Sequence, residues 1–121
     1  YGTIYATGDG GATWALRPFE PVELAGKAAG SGGEDLGFDE QMDLGIAFHL
    51  NAVVEGTGGQ LYLAAEAGRL YRSDDRGATW RELPSPYDGS FYGILPLEGE
   101  TLLAYGLRGH VFRSTDGGQT W

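Results

Sequence analysis

An eight-residue pattern, [Ser/Thr]-x-Asp-x-Gly-x-Thr-Trp, occurs three times in this chain and limits its fold more than any other feature. The copies span residues 7–14, 73–80 and 114–121. The last two copies are 41 residues apart, and a shift by that distance aligns 49–80 with 90–121 without a gap. A period of about 40–45 residues is what four short strands and their turns need to form one β-propeller blade. We therefore predict an all-β fold, a β-propeller of four-stranded antiparallel blades.

Turns and short apolar runs divide the chain into about two and a half blades. Residues 1–19 are predicted to form the last two strands of one blade, 46–86 a complete blade and 87–121 an incomplete blade. The extra length between the first two octads predicts a flexible, acidic, Gly-rich insertion over 20–45. Strands are predicted at Thr3–Ala6, Trp14–Arg17, Leu50–Val54, Gln60–Ala65, Arg69–Ser73, Trp80–Leu83, Phe91–Pro96, Thr101–Tyr105 and His110–Ser114.

Composition supports this fold class and excludes several functions. Glycine occupies 22 of 121 positions, mostly between short apolar runs, as expected of a chain with many tight turns. The net charge of −9 disfavours nucleic acid and anionic membranes as partners. There is no cysteine, and no apolar run approaches the length of a membrane span. The chain begins without Met and stops at the last residue of an octad, so we expect it to be a fragment of a longer protein.

Each conserved position of the octad has a structural explanation. The Asp carboxylate can accept hydrogen bonds from backbone N–H groups that follow it, and the preceding Ser or Thr hydroxyl can add another. The Gly supplies a positive φ, and the Trp can cover the hairpin while its indole N–H finds a carbonyl. We therefore assign a structural role to Thr7, Asp9, Gly11, Thr13, Trp14, Ser73, Asp75, Gly77, Thr79, Trp80, Ser114, Asp116, Gly118, Thr120 and Trp121.

The octads resemble the bacterial-neuraminidase repeat, or Asp box. The sequences of residues 61–75 and 103–116 are similar to the photosystem II stability/assembly factor-like family. Both contain an apolar–aromatic pair followed by Arg-Ser and the octad. This resemblance implies a seven-bladed, non-enzymatic propeller that binds partner proteins. It also implies export to a periplasmic, extracellular or thylakoid-lumen location.

Asp boxes also occur in sialidases, so a glycosidase is the alternative. Such an enzyme needs three arginines around a carboxylate, a Tyr–Glu pair and an acidic Asp, and sialidases carry an Arg-Ile-Pro motif. The motif is absent here, so the catalytic residues of a glycosidase would lie outside this chain. We predict no catalytic, cofactor-binding or metal-binding residue. His49 and His110 are interpreted as satisfied polar residues, and Asp35, Asp39, Glu40 and Asp43 as a solvated acidic loop.

Aromatic residues of the last blade are the candidates for contact with a protein partner. These are Tyr87, Phe91, Tyr92 and Tyr105, together with Arg108, because Tyr and Arg commonly anchor interfaces. The alternative for the aromatic residues is packing between blades. The chain itself is also expected to self-associate, through exposed Ile4, Tyr5, Leu102 and Leu103 and the unpaired edge of Val111–Arg113.

Overall fold

The computed structural model describes residues 3–22 and 49–121. In these residues the chain forms three antiparallel sheets, and the one helical element is a 3₁₀ turn at Leu107–Gly109. The predicted all-β fold class is confirmed. The strands are β1 (Ile4–Ala6) and β2 (Ala15–Arg17) in sheet 1; β3 (Leu50–Glu55), β4 (Leu61–Ala65), β5 (Leu70–Ser73) and β6 (Arg81–Glu82) in sheet 2; and β7 (Phe91–Pro96), β8 (Leu102–Gly106) and β9 (Val111–Ser114) in sheet 3.

Each sheet is a meander in which neighbours in sequence are neighbours in space, as in a propeller blade. The bounds of β7 are those predicted, whereas β6 is shorter than the predicted Trp80–Leu83. Sheets 2 and 3 share a register irregularity in the inner strand, between Leu50 and Ala52 and between Phe91 and Gly93. The 41-residue repeat therefore extends to this detail of the backbone.

Two apolar cores hold the sheets together. The first lies between sheets 2 and 3, and its largest members are Tyr62, Leu70, Leu83, Phe91, Ile94 and Leu102. The second lies between sheets 1 and 2, where Phe19, Leu63, Tyr71 and Trp80 are buried. Leu102 was expected to be exposed, and this was wrong: its side chain is on the face of sheet 3 that packs against sheet 2.

The segment that follows β2 joins the outer edge of sheet 2. The Val22 N–H donates to the Trp80 carbonyl at 2.9 Å, and the Val22 carbonyl accepts from the Glu82 N–H at 2.9 Å. Phe19 meets the Tyr71 ring edge to face at 5.0 Å. The rest of the predicted insertion, with its acidic cluster, falls in 23–48 and lies outside the described residues.

Candidate functional site

All three octads close their hairpins with the same hydrogen bonds. In the second octad the Ser73 hydroxyl donates to Asp75 Oδ1 at 2.8 Å and accepts from the Gly77 N–H at 2.8 Å. The Thr79 N–H donates to Asp75 Oδ1 at 2.8 Å, and the Thr79 hydroxyl donates to Asp75 Oδ2 at 2.6 Å. The octads at 7–14 and 114–121 repeat each of these bonds. Both oxygens of each octad aspartate are therefore held by donors within the same turn.

These donors change the acidity of the octad aspartates. The hydroxyl of the following Thr has the largest effect, followed by its backbone N–H and the preceding Ser hydroxyl. Together they lower the pKa of Asp75 and of Asp116 to about 2. The pKa of Asp9 is lowered by the equivalent bonds from Thr13 and Thr7. Within residues 3–22 and 49–121, no group of three or more His, Cys, Asp or Glu side chains could hold a metal ion.

Acid is expected to weaken the octads between about pH 4 and pH 2. A carboxylate whose pKa falls on folding contributes stability above its unfolded pKa, 3.8 for Asp, and loses it as the pH drops through the folded value, about 2. We expect the urea midpoint of the native chain to fall across this window. In the Asp75→Asn/Asp116→Asn variant it should fall less, because an amide does not titrate. Tryptophan fluorescence at several pH values measures both midpoints.

Calcium provides the control for this assignment. If the octad aspartates served a metal, added Ca²⁺ would raise the melting temperature of the native chain but not that of the Asn variant. We expect Ca²⁺ to leave both melting temperatures unchanged. A steeper acid dependence in the variant than in the native chain would also contradict the assignment.

The octad tryptophans do not share one hydrogen-bonding arrangement. The Trp14 indole N–H donates to the Gly11 carbonyl at 3.1 Å, and that of Trp121 donates to the Pro84 carbonyl at 2.9 Å. Within the described ranges, the buried Trp80 indole N–H finds no hydrogen-bond partner. The expectation that every octad Trp finds a carbonyl was therefore wrong for Trp80. Phe19, in the segment after β2, packs its ring against Trp80, and the centroids of these two rings are 5.8 Å apart.

Arg72, in the position before the second octad, bridges two sheets. Its Nε donates to Asp74 Oδ1 at 2.9 Å, and its Nη1 lies 3.4 Å from both Glu100 Oε1 and the Gly117 carbonyl, in turns next to the strands of sheet 3. Its guanidinium also lies over the Tyr62 ring, 5.4 Å from the centroid. Arg72 therefore pairs with acidic side chains and also covers an aromatic ring.

The two histidines contact groups close to them in the fold. His49 Nδ1 is 2.8 Å from Glu66 Oε2, and the His49 backbone N–H donates to Glu66 Oε1 at 3.1 Å. These bonds lower the pKa of Glu66, with the backbone bond the larger cause. His110 Nδ1 is 3.0 Å from the Leu107 carbonyl, and its ring stacks on Tyr87 at 4.2 Å.

Three of the predicted partner-contact residues are exposed at one end of sheet 3. The register pairs Phe91 with Gly106 and Gly93 with Tyr105, which places Tyr92 and Tyr105 beside the Leu107–Gly109 turn. Tyr92 is 53% exposed, Tyr105 is 44% exposed, and Arg108 is exposed at the tip of the turn. We call Tyr92, Tyr105 and Arg108 the sheet-3 rim.

The other two predicted contact residues, Tyr87 and Phe91, pack against each other. Phe91 is fully buried in the core between sheets 2 and 3, so its assignment as a partner contact was wrong. Its ring is on the face of β7 that packs against sheet 2. Tyr87 is half-buried and lies edge to face against Phe91, with centroids 6.0 Å apart. Leu107, which is exposed in the turn next to Arg108, was not among the predicted contact residues.

The second and third octads match a known repeat family. The sequence profile described as BNR/Asp-box repeat matches residues 71–82 and 112–121. The chain carries BNR/Asp-box repeats. The octad at 7–14 lies outside the matched ranges but makes the same hydrogen bonds. This repeat is of the β-propeller type, and the three described sheets do not close into a ring.

One curated relative is an assembly factor. The chain is 39% identical over 70 residues to the photosystem II assembly lipoprotein Ycf48 of Synechocystis sp.. The match covers 54% of this chain and 20% of the relative, so the matched stretch spans about one fifth of that protein. No solved structure gave a significant match. Among the described residues, none of the helical structure is long and apolar enough to cross a membrane.

Proposed function

We propose that this chain is a non-enzymatic protein-binding part of a complex-assembly factor of the Ycf48 type. The observation that carries the proposal is the 39% identity to a protein named for the assembly of photosystem II. The octads agree with this role because their aspartates are occupied by hydrogen bonds within each turn. The relative is named a lipoprotein, and we extend the proposal to an exported location.

The sheet-3 rim is the surface we propose for partner binding. Tyr and Arg are enriched among residues that dominate binding energy, since they combine a large contact area with hydrogen-bonding groups. The rim residues are positioned by the turn and by the neighbouring strand. Arg108 is held at φ 61° between two paired strands, and the Tyr105 ring lies across Gly93, where an added Cβ would come within 2.6 Å of its Cζ. A preorganised surface of this kind loses little entropy on binding.

Removal of the Arg108 side chain is expected to weaken binding about tenfold or more, as for an interface anchor. The Arg108→Gly variant suits this test because glycine adopts the positive φ of this position without strain. The probe is detergent-solubilised photosystem II isolated from Synechocystis, with the purified chain immobilised and binding followed by interferometry. Tyr92→Ala should weaken binding to a similar degree.

Arg76→Gly is the matched control. Arg76 is also exposed and has φ 62°, but it lies in the second octad and pairs with Glu55 at 3.1 Å. We expect its affinity to stay within about twofold of the native value. Equal losses in Arg76→Gly and Arg108→Gly would contradict the rim as the binding surface. Absence of saturable binding by the native chain would contradict the assembly-factor proposal, and hydrolysis of a fluorogenic sialoside would favour the glycosidase alternative.

A further inference from the structure

The dipeptide Asp-Gly occurs three times in this chain, at Asp9-Gly10, Asp88-Gly89 and Asp116-Gly117. An Asp followed by Gly can isomerise without an enzyme, because glycine has no side chain to keep its backbone nitrogen away from the Asp carboxyl. The reaction needs a carboxyl that can be protonated and a nitrogen that can approach it. Hydrogen bonds that hold either group slow the reaction, so the fold decides which of the three dipeptides reacts.

Two of the dipeptides belong to octads, and their reacting groups are held. The Asp116 carboxylate accepts from the Thr120 N–H at 2.9 Å and from the Thr120 hydroxyl at 2.6 Å. The Gly117 N–H donates to the Glu100 carbonyl at 2.9 Å, so the nitrogen of this dipeptide is fixed as well. The first octad holds its carboxylate through the same two bonds from its own Thr.

These bonds also keep the octad carboxyls ionised. The Thr120 hydroxyl is the largest of the causes that lower the pKa of Asp116 to about 2. The isomerisation expels a carboxyl oxygen as water, and only the protonated carboxyl does this readily. At a pH above 4, a pKa of about 2 instead of the ordinary 3.8 reduces the protonated fraction roughly tenfold or more.

The third dipeptide lies in the connection between sheets 2 and 3, and neither of its reacting groups is held. Asp88 is exposed, and within the described parts of the chain its carboxylate makes no hydrogen bond or ion pair. The Gly89 N–H donates to no acceptor in these parts either. The position requires glycine, since an added Cβ would lie 2.6 Å from the Tyr87 ring, which is stacked on His110. The packing therefore keeps a reactive dipeptide at this place.

We propose that Asp88 is a site of spontaneous isomerisation to isoaspartate, and that the octads protect Asp9 and Asp116. The Gly89 nitrogen bonds to Asp88 Cγ and loses its proton, a Cγ–O bond breaks, and one water leaves a five-membered succinimide. Water then adds to the main-chain carbonyl carbon of Asp88, and the bond from that carbon to the Gly89 nitrogen breaks. The backbone now runs through Cγ, with one more methylene and with no change in mass or oxidation state.

The added methylene falls where the connection packs on the β4–β5 turn. A Cβ on Gly68 would lie 2.8 Å from Asp88 Cα and 3.0 Å from the Asp88 carbonyl carbon, so this contact has no room for another backbone atom. Isomerisation should therefore loosen the contact between sheets 2 and 3, and the modified chain should melt at a lower temperature than the fresh chain. No partner takes part, so this chemistry does not depend on the proposed function.

Peptide mapping tests the three sites in one sample, because trypsin places each dipeptide in a separate peptide. These peptides are residues 1–27, 82–108 and 114–121. The folded chain is incubated at about pH 5, above the range in which acid weakens the octads. Electron-transfer fragmentation locates isoaspartate, with a sample taken at time zero as the baseline. We expect isoaspartate to accumulate in 82–108 about tenfold faster, or more, than in the other two peptides.

The same chain in urea is the first control. Without the fold the three dipeptides should isomerise at similar rates, because they share the same two residues. Thr13→Val is the second control, since it removes the hydroxyl that contributes most to the lowered pKa of Asp9. Isoaspartate at Asp9 should then rise severalfold while Asp88 reacts as before. Asp88→Glu should abolish the product in 82–108, because Glu would have to close a six-membered ring.

Equal rates at the three sites of the folded chain would overturn the proposal. The same follows if the folded chain forms no isoaspartate at Asp88 over a period in which the chain in urea accumulates it. A Thr13→Val variant whose Asp9 stays as unreactive as in the native chain would contradict protection by the octad.

Discussion

Phe91→Ala is expected to destabilise the folded chain by about 3–5 kcal/mol. The Phe91 ring is fully buried in the core between sheets 2 and 3 and contacts Tyr87 and Phe112 edge to face. Its removal leaves a cavity bordered by strands of both sheets, which the surrounding backbone cannot fill without losing strand pairing. Urea denaturation followed by tryptophan fluorescence measures the loss, and Phe91→Leu should recover most of it.

Tyr92→Ala, at the next position, separates packing from surface effects. Tyr92 points away from this core and is more than half exposed, so its truncation should change stability by about 0.5 kcal/mol or less. The two neighbouring substitutions should therefore differ by several-fold in their effect on the free energy of unfolding. Similar losses at both positions would show that Phe91 is not the core residue that its burial indicates.

Gly68→Ala is expected to destabilise the chain by about 2–5 kcal/mol. Gly68 has φ 71° in the β4–β5 turn, and a side chain in this region costs about 1–2 kcal/mol. An added Cβ would also clash with the Tyr87 carbonyl oxygen and lie 2.8 Å from Asp88 Cα. Both are backbone atoms of the connection between sheets 2 and 3, and forcing them apart costs a further 1–3 kcal/mol or so, about what overpacking costs in a core. Melting curves measure the sum.

Gly109→Ala provides the comparison that isolates the clash. Gly109 is 41 residues after Gly68, in the equivalent turn of sheet 3, and has φ 76°. An added Cβ there has no heavy atom within 4 Å, so only the conformational strain of about 1–2 kcal/mol should remain. Equal melting temperatures for the two variants would mean that the connection at Tyr87 moves freely and does not hold the sheets together.

The octads were the most predictable part of this protein because their interactions are local. Every donor to Asp75 lies within four residues of it, so the hydrogen-bonded turn can be predicted from the eight residues of the octad alone. The same holds for the strands, whose short apolar runs between glycines indicated their places along the chain. The β-propeller type follows from the period of the repeat, because this length accommodates the four short strands and the turns of one blade.

Burial could not be inferred in the same way, because it depends on which sheet lies next to each face. Tyr105 and Ala64 occupy the same position of the repeat, yet Ala64 is buried under sheet 3 and Tyr105 is exposed. For the same reason Leu102 was predicted to be exposed and Phe91 to be a contact residue, although both lie in the core. The repeat shows that two positions are equivalent, but only the stacking of the sheets decides which equivalent loses its contact with water.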